Sequence, residues 1–406
     1  MTDRLAVTRT RTRPGWLWPA ALLLLALLRP HWVEARDSAV PAASHAPAMV
    51  APKTVAGAAT ETAATAATAA TAATAATAAT AATATRATTA AAEATPPCPA
   101  ASAARWQAIV PGVWIWPGAA QEIGPGNLGQ VASQILLRDG HRAILIDPGP
   151  SLAHGQLVRE STRCALGLTI TRVLDSHAHA ENVLGNAAFA GAQIEASAAT
   201  VAGMRARCPQ CLASITQSAG AAALDGTTVL LPETSLRPGQ QLESDSGRWQ
   251  MMEFSAAHSD SDLVLWNEDQ RLLIAPSLVY QGRIPELAQG SLLGWLAALR
   301  QLHRLRPDWV LGQQASRHAG LAATPANSSG LAASHGYLCA LAQGVIAALE
   351  LGRSANEASE APELALPGYA SWAGHAERHG FNVQRAWREL EPHWMNGGEL
   401  DCAPLE

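Results

Sequence analysis

Two histidines one residue apart, His177 and His179, follow a short apolar run in the stretch TRVLDSHAHAENVLGN, residues 171–186. The run Leu168-Thr169-Ile170, with Val173-Leu174 after it, predicts a buried strand that ends at Asp175-Ser176. Alternation along an extended strand end sends both imidazoles to one side, and the carboxylate of Glu181 falls there two residues later. Two neutral imidazoles converging from a rigid strand end suit a borderline-soft divalent ion such as zinc. Val183-Leu184-Gly185-Asn186-Ala187 then opens a helix.

Other residues join this stretch in order along the chain. Ala143 to Ile146 predicts a strand closed by Asp147-Pro148-Gly149-Pro150, where Asp147 is placed to cap a turn. Trp249 to Phe254 alternates as a strand and delivers His258 in Ala257-His258-Ser259-Asp260-Ser261-Asp262. The strands Leu263 to Trp266 and Leu272 to Ala275 follow, then Pro276-Ser277. The segment Leu292–Leu305 has the apolar spacing of an amphipathic helix. Beyond it, Trp309-Val310-Leu311 leads to Gly312-Gln313-Gln314.

With its flanking Val183-Leu184-Gly185-Asn186-Ala187-Ala188-Phe189, the histidine stretch resembles the metallo-β-lactamase signature His-x-His-x-Asp-His, with Glu181 and Asn182 at the last two positions. The similarity runs from about Trp106 to about Trp394 and is closest to the quinoprotein relay system zinc metallohydrolases, of the sulfur-oxidation hydrolase type. It implies an α/β fold, the αβ/βα four-layer sandwich, over residues 105–330, with a helical extension over 331–395. It implies that His258 is the third histidine of a first metal site and that Asp147 orients that site from behind. It also implies that the second site is degenerate. Asn182 takes the place of its last signature histidine, Ser277 that of the bridging Asp, and Gln314 that of the final histidine. His318, four residues beyond Gln314, is the alternative for that histidine, out of register with it. His177, His179 and His258 would then hold one zinc ion per chain, because amide oxygens are poor zinc donors. Glu181 is the candidate general base.

The remaining chain sets the context. A net charge of −5 with 15% charged residues leaves no basic footprint for nucleic acid. Arg4, Arg9, Arg11 and Arg13 precede the apolar run Ala20–Leu28 and the small-residue point near Val33-Glu34-Ala35, which reads as a signal peptide over 1–35. An uncleaved anchor is the alternative, although the run falls short of the roughly 20 residues of a spanning helix. Residues 36–104 are an Ala/Thr-rich disordered linker, because Ala-Ala-Thr repeats have a period that builds no apolar stripe. Six cysteines fit an exported setting. Cys208-Pro209-Gln210-Cys211 reads as a local disulfide, a redox pair or half of a zinc knuckle. Helices are expected at 332–351, 370–380 and 382–390, with His335, His375, His379 and His393 as solvated or capping residues.

Three functions follow from these readings. The first is an exported, periplasmic, mononuclear zinc hydrolase acting on a small molecule. The second is a catalytically degenerate metal- or ligand-binding accessory of the same fold, either of them associated with a periplasmic quinoprotein dehydrogenase. The third is thiol redox chemistry at Cys208 and Cys211. No membrane contact is expected beyond the signal segment.

Overall fold

The computed structural model describes Cys98 and residues 105–314, 329–358 and 360–405. The signal segment, the Ala/Thr-rich linker apart from Cys98, and His318 lie outside the described residues.

The first sheet runs in chain order through seven strands. β1 (Gln107–Val110), β2 (Val113–Trp116), β3 (Gln134–Asp139) and β4 (Arg142–Ile146) pair antiparallel. After helix α1 (Leu152–Ser161) and a π-helical turn, β5 (Thr169–Leu174) pairs parallel to β4. The short helix α2 (Ala180–Val183) and a 3-10 turn lead to β6 (Gln193–Ser197). Helix α3 (Ala198–Ala219) then leads to β7 (Thr234–Leu236), and both strands are parallel additions. The second sheet has the order β12-β11-β10-β9-β8. Its strands are β8 (Gln241–Ser244), β9 (Gly247–Phe254), β10 (Asp262–Asn267), β11 (Leu272–Ile274) and, after helix α4 (Leu292–His303), β12 (Trp309–Leu311). Helices α5 (Ser329–Glu350), α6 (Ala355–Ala358) and α7 (His375–Met395) complete the fold.

Period-two alternation builds the layers. Ile144 and Ile146 of β4, Leu174 of β5, and Leu263 and Leu265 of β10 form one core between the two sheets. The intervening residues face outward. Leu145 and Val173 pack with Val158 of α1 and Phe189, while Val264 and Trp266 pack with α4, α5 and α7. The chain is therefore an α/β protein of four layers, helices on sheet on sheet on helices, with the C-terminal helices as part of one outer layer. α5 is long and apolar enough to cross a membrane by length and composition, and most of it is buried. A helix apolar all round is a core helix when neighbours cover it, as α4 and α7 do here.

Two helices and two histidines depart from the sequence reading. The sequence predicts a helix from about Ala198 to Arg207, and α3 continues beyond it to Ala219 through Pro209. Met204, Cys208, Ile215 and Ala219 bury one stripe of it, so packing outweighs one lost hydrogen bond. α7 is one helix through Gly380, because Val383, Ala386, Trp387 and Leu390 continue its buried face. His335 and His379 are buried and not solvated. His379 bonds the Leu364 carbonyl at 2.6 Å and the Tyr337 hydroxyl at 3.1 Å.

α4 is anchored at its start. Ser291 caps it by accepting from the Gly294 amide at 3.0 Å, and the Glu389 carboxylate of α7 accepts from the Leu292 and Leu293 amides. That places an anion on the positive helix end. A Cβ on Gly294 would overlap the Ala256 carbonyl oxygen in the His258 loop. On helix propensity alone, Gly294→Ala should stabilise by about 1 kcal/mol. The overlap reverses the sign, so the variant should melt below the wild type by thermal denaturation, and an unchanged or higher Tm would show that the His258 loop yields freely.

Candidate metal centre

The strand ends converge at one edge of the sandwich. β4 ends at Asp147, β5 at Asp175-Ser176-His177, β11 at Ala275-Pro276-Ser277 and β12 at Gly312-Gln313-Gln314, while the β9–β10 connection carries His258. The carboxyl ends of strands are where α/β sheets present ligands. A backbone bond from the Leu263 amide to the Ser176 carbonyl, 2.9 Å, ties the loops of the two sheets together.

His177, His179 and His258 meet there, all buried, with ligand nitrogens within 4.8 Å of one another. Two of the rings, His177 and His179, are fixed through their other side. Asp147, in a left-handed conformation with φ 59°, accepts from the Ser176 amide at 2.8 Å and from the Ser176 hydroxyl at 2.7 Å. That hydroxyl in turn accepts from His177 Nδ1 at 2.8 Å. The proton thus sits on Nδ1, and His177 Nε2 is left as a buried nitrogen without a hydrogen-bond partner. His179 Nε2 donates to the Gln289 Oε1 at 2.7 Å, which frees its Nδ1. His258 Nε2 lies 3.1 Å from that Nδ1 and 3.4 Å from the Tyr280 hydroxyl, with Trp295 packed edge-on at 4.8 Å between centroids. Burial, and then the neighbouring histidines, push His177 and His258 well below the ordinary histidine range, so both rings are neutral.

Three buried imidazoles with ring nitrogens converging on one point fit a divalent ion. In the protein alone, one proton on His258 can bridge two of the nitrogens, and His177 Nε2 still has no partner. A cation satisfies all three.

The second-site positions form a different structure. Asn182 donates to Asp147 at 2.8 Å and exchanges amide hydrogen bonds with Gln313 at 3.2 and 3.3 Å. The residue opposite Asn182 is therefore Gln313. Gln314, which the sequence reading placed there, turns away and donates to the Val131 carbonyl at 2.9 Å. Reading Gly312 as the first residue of that turn put the register one residue out. Ser277 is buried beside Asp262, whose carboxyl burial raises to about 6. Burial likewise raises Asp147 to about 6, against the hydrogen bonds from Ser176 and Asn182.

Glu181 is buried at 7% exposure and, with His179, lines a cavity of about 990 Å³. α3 forms one wall through Arg207 and Cys211, and α7 forms another through Arg378, Phe381 and Arg385. Arg378 is held by Glu122 at 2.8 and 2.9 Å and by a close contact to Glu286. Cys208 and Cys211 are free thiols and not the local disulfide that the sequence suggested. The bridges are Cys98–Cys164 and Cys339–Cys402. Gln289, Tyr280 and Gln313 carried no legible signal in the sequence, since loop residues without periodicity look alike.

Residues 128–313 match the family model of the metallo-beta-lactamase superfamily, somewhat under half of the chain. The chain thus contains a metallo-beta-lactamase superfamily domain, of a fold consistent with a metal-dependent hydrolase. No curated protein matches. Similar solved structures include a metallo-beta-lactamase from Hirschia baltica at 14% identity, covering 52% of this chain and 90% of that one, TM-score 0.41. FIM-1 from Pseudomonas aeruginosa, in its mono-zinc form, has 17% identity over 52% and 87%, TM-score 0.41. A metallo-beta-lactamase from Pontibacter korlensis has 15% identity over 52% and 91%, TM-score 0.42.

Asp147→Asn should keep the shape of the turn and weaken the Ser176–His177 relay, lowering zinc affinity about 10–100-fold in a chelator competition. Unchanged affinity would remove Asp147 from the relay. A second expectation concerns His154, whose Nε2 sits 2.9 Å from Gln134 beneath Gly149. Burial depresses it from 6.5 to about 3. The unfolded chain takes up this proton first, so the stability it contributes is complete above pH 6.5 and is lost as pH falls from there towards 3. His154→Gln should flatten that slope by about 1.4 kcal/mol per pH unit in denaturant titrations between pH 7 and 4.5. Parallel wild-type and variant slopes would contradict it.

Proposed function

We propose that the protein is an exported, mononuclear zinc-dependent hydrolase of small molecules. The observation that carries this reading is the contrast between the two halves of the site. Three buried imidazoles share one focus, whereas Asn182 and Gln313 satisfy each other and offer no charged or imidazole donor. His177, His179 and His258 would hold the ion. When bound, zinc supplies Lewis acidity that makes water nucleophilic near neutral pH. Glu181 sits at the cavity wall beside His179, where its carboxylate can accept a proton and return it to a leaving group. The neighbouring walls mix arginines with Ile123, Ile215 and Phe381, which suits a substrate with a charged end and an apolar body.

A periplasmic location is supported by two disulfides, Cys98–Cys164 and Cys339–Cys402, which persist in oxidising compartments. A working relation to a periplasmic quinoprotein dehydrogenase is proposed on the resemblance of the histidine stretch. The replacements at Asn182, Ser277 and Gln313 also favour a second reading, a non-catalytic metal-binding accessory.

Metal analysis and a hydrolysis panel of ester, thioester, lactam and phosphoester substrates separate the two readings. One zinc per chain is expected, nearly abolished in His177→Ala and unchanged in Gln313→Ala. Glu181→Gln should keep the metal and lose hydrolysis. Two ions per chain would refute the mononuclear assignment, and a metal-loaded wild type inert on every substrate would favour the accessory.

A further inference from the structure

The cavity has a second reactive wall that the hydrolase reading leaves unused. Among the described cysteines four are bridged, while Cys208 and Cys211 remain thiols on α3. Cys208 is fully buried among Ala178, Val183 and Met204. Cys211 is half-buried and opens to the cavity beside Glu181. Helix geometry sets residues three apart at about 5 Å between Cα atoms, inside the range a disulfide spans. Pro209 lies between them, and it has no amide hydrogen for the Arg205 carbonyl. That loosens the one turn that ring closure has to distort. The Cys208 thiol hydrogen-bonds the Cys211 sulfur, which lowers Cys211 to about 7, while the same bond and burial push Cys208 up. The two thiols are therefore unequal, one accessible and poised as a thiolate, the other shielded and held as a thiol.

We propose that Cys208-Pro209-Gln210-Cys211 is a thiol–disulfide exchange site, with Cys211 attacking a small disulfide that enters the cavity and Cys208 resolving the mixed disulfide. In the first step Cys211 sulfur bonds one sulfur of the reagent, its S–S bond breaks and one thiolate leaves. In the second, Cys208 loses its proton and attacks Cys211 sulfur, the mixed bond breaks and the second thiolate leaves. The dithiol is oxidised by two electrons, the reagent is reduced to two thiols, and the two thiol protons end on them. Arg385 and Arg388 of α7 line the same cavity and suit a disulfide that carries carboxylates.

The full chain, isolated without reductant and incubated anaerobically with oxidised glutathione, tests the assignment. The wild type should release two equivalents of reduced glutathione and yield a peptide linked Cys208–Cys211 by mass spectrometry. Cys208→Ala should stop at one equivalent, with a single glutathione on Cys211, and Cys211→Ser should release none. Native alkylation with iodoacetamide should label Cys211, and Cys208 only after unfolding. If Cys208→Ala fails to fold, the wild-type stoichiometry and Cys211→Ser decide alone. A wild type that does not react, that keeps a stable glutathione adduct, or that is modified first at Cys208 would overturn the proposal.

Discussion

An imidazole can offer a lone pair from one nitrogen only while the other nitrogen keeps the proton, and this tautomer constraint governs the whole site. The protein fixes it differently for His177 and for His179. His177 is set by the Ser176 hydroxyl, itself held by Asp147. His179 is set by Gln289, a carbonyl that can only accept. The Glu286 carbonyl lies beside His258. These orienting groups come from the end of β4, the end of β5 and the segment before α4, so the site requires both sheets to be packed face to face. The isoleucine and leucine core between the sheets is thus a condition of the chemistry as well as of stability.

Asp147 carries two tasks at once. It accepts from Ser176 on the histidine side and from Asn182 on the other. With Gln313 closing onto Asn182, these two amides form a neutral pair in which each group has a partner. Such a pair needs no ion, and buried polar groups that are fully paired rigidify what surrounds them. Asn182 thereby braces the Asp147 turn, and that turn supports Ser176 and His177.

The histidines were legible because strand alternation and sequence order constrain them: His177 and His179 share a face by spacing, and His258 follows the alternating strand Trp249 to Phe254. The layers were legible for the same reason, since β4, β5 and β10 alternate cleanly. What the sequence hid was set by tertiary contact. Nothing local distinguishes Gln313 from Gln314; the difference is which one faces Asn182 after β12 docks against Ser133, whose amide donates to the Gln313 carbonyl at 2.9 Å. Gln289 is invisible because its partner lies 110 residues away. Pro209 and Gly380 looked like helix ends, and only burial on both sides of each shows that the helix continues.

α3 joins these observations. Arg207 pairs with Asp260 in the His258 loop at 2.7 Å, so the helix that carries the thiols also steadies the loop that carries His258. His179 and Cys211 line one cavity, yet the cluster within 4.8 Å contains three histidines and no sulfur. A thiolate drawn into that cluster would give zinc a soft fourth ligand and close the open position that hydrolysis requires. By placing Cys208 in the core and Cys211 farther along the wall, the fold keeps the thiols outside the coordination sphere. Under the proposed function, hydrolysis at the histidines and exchange at Cys211 would share an entrance without sharing atoms.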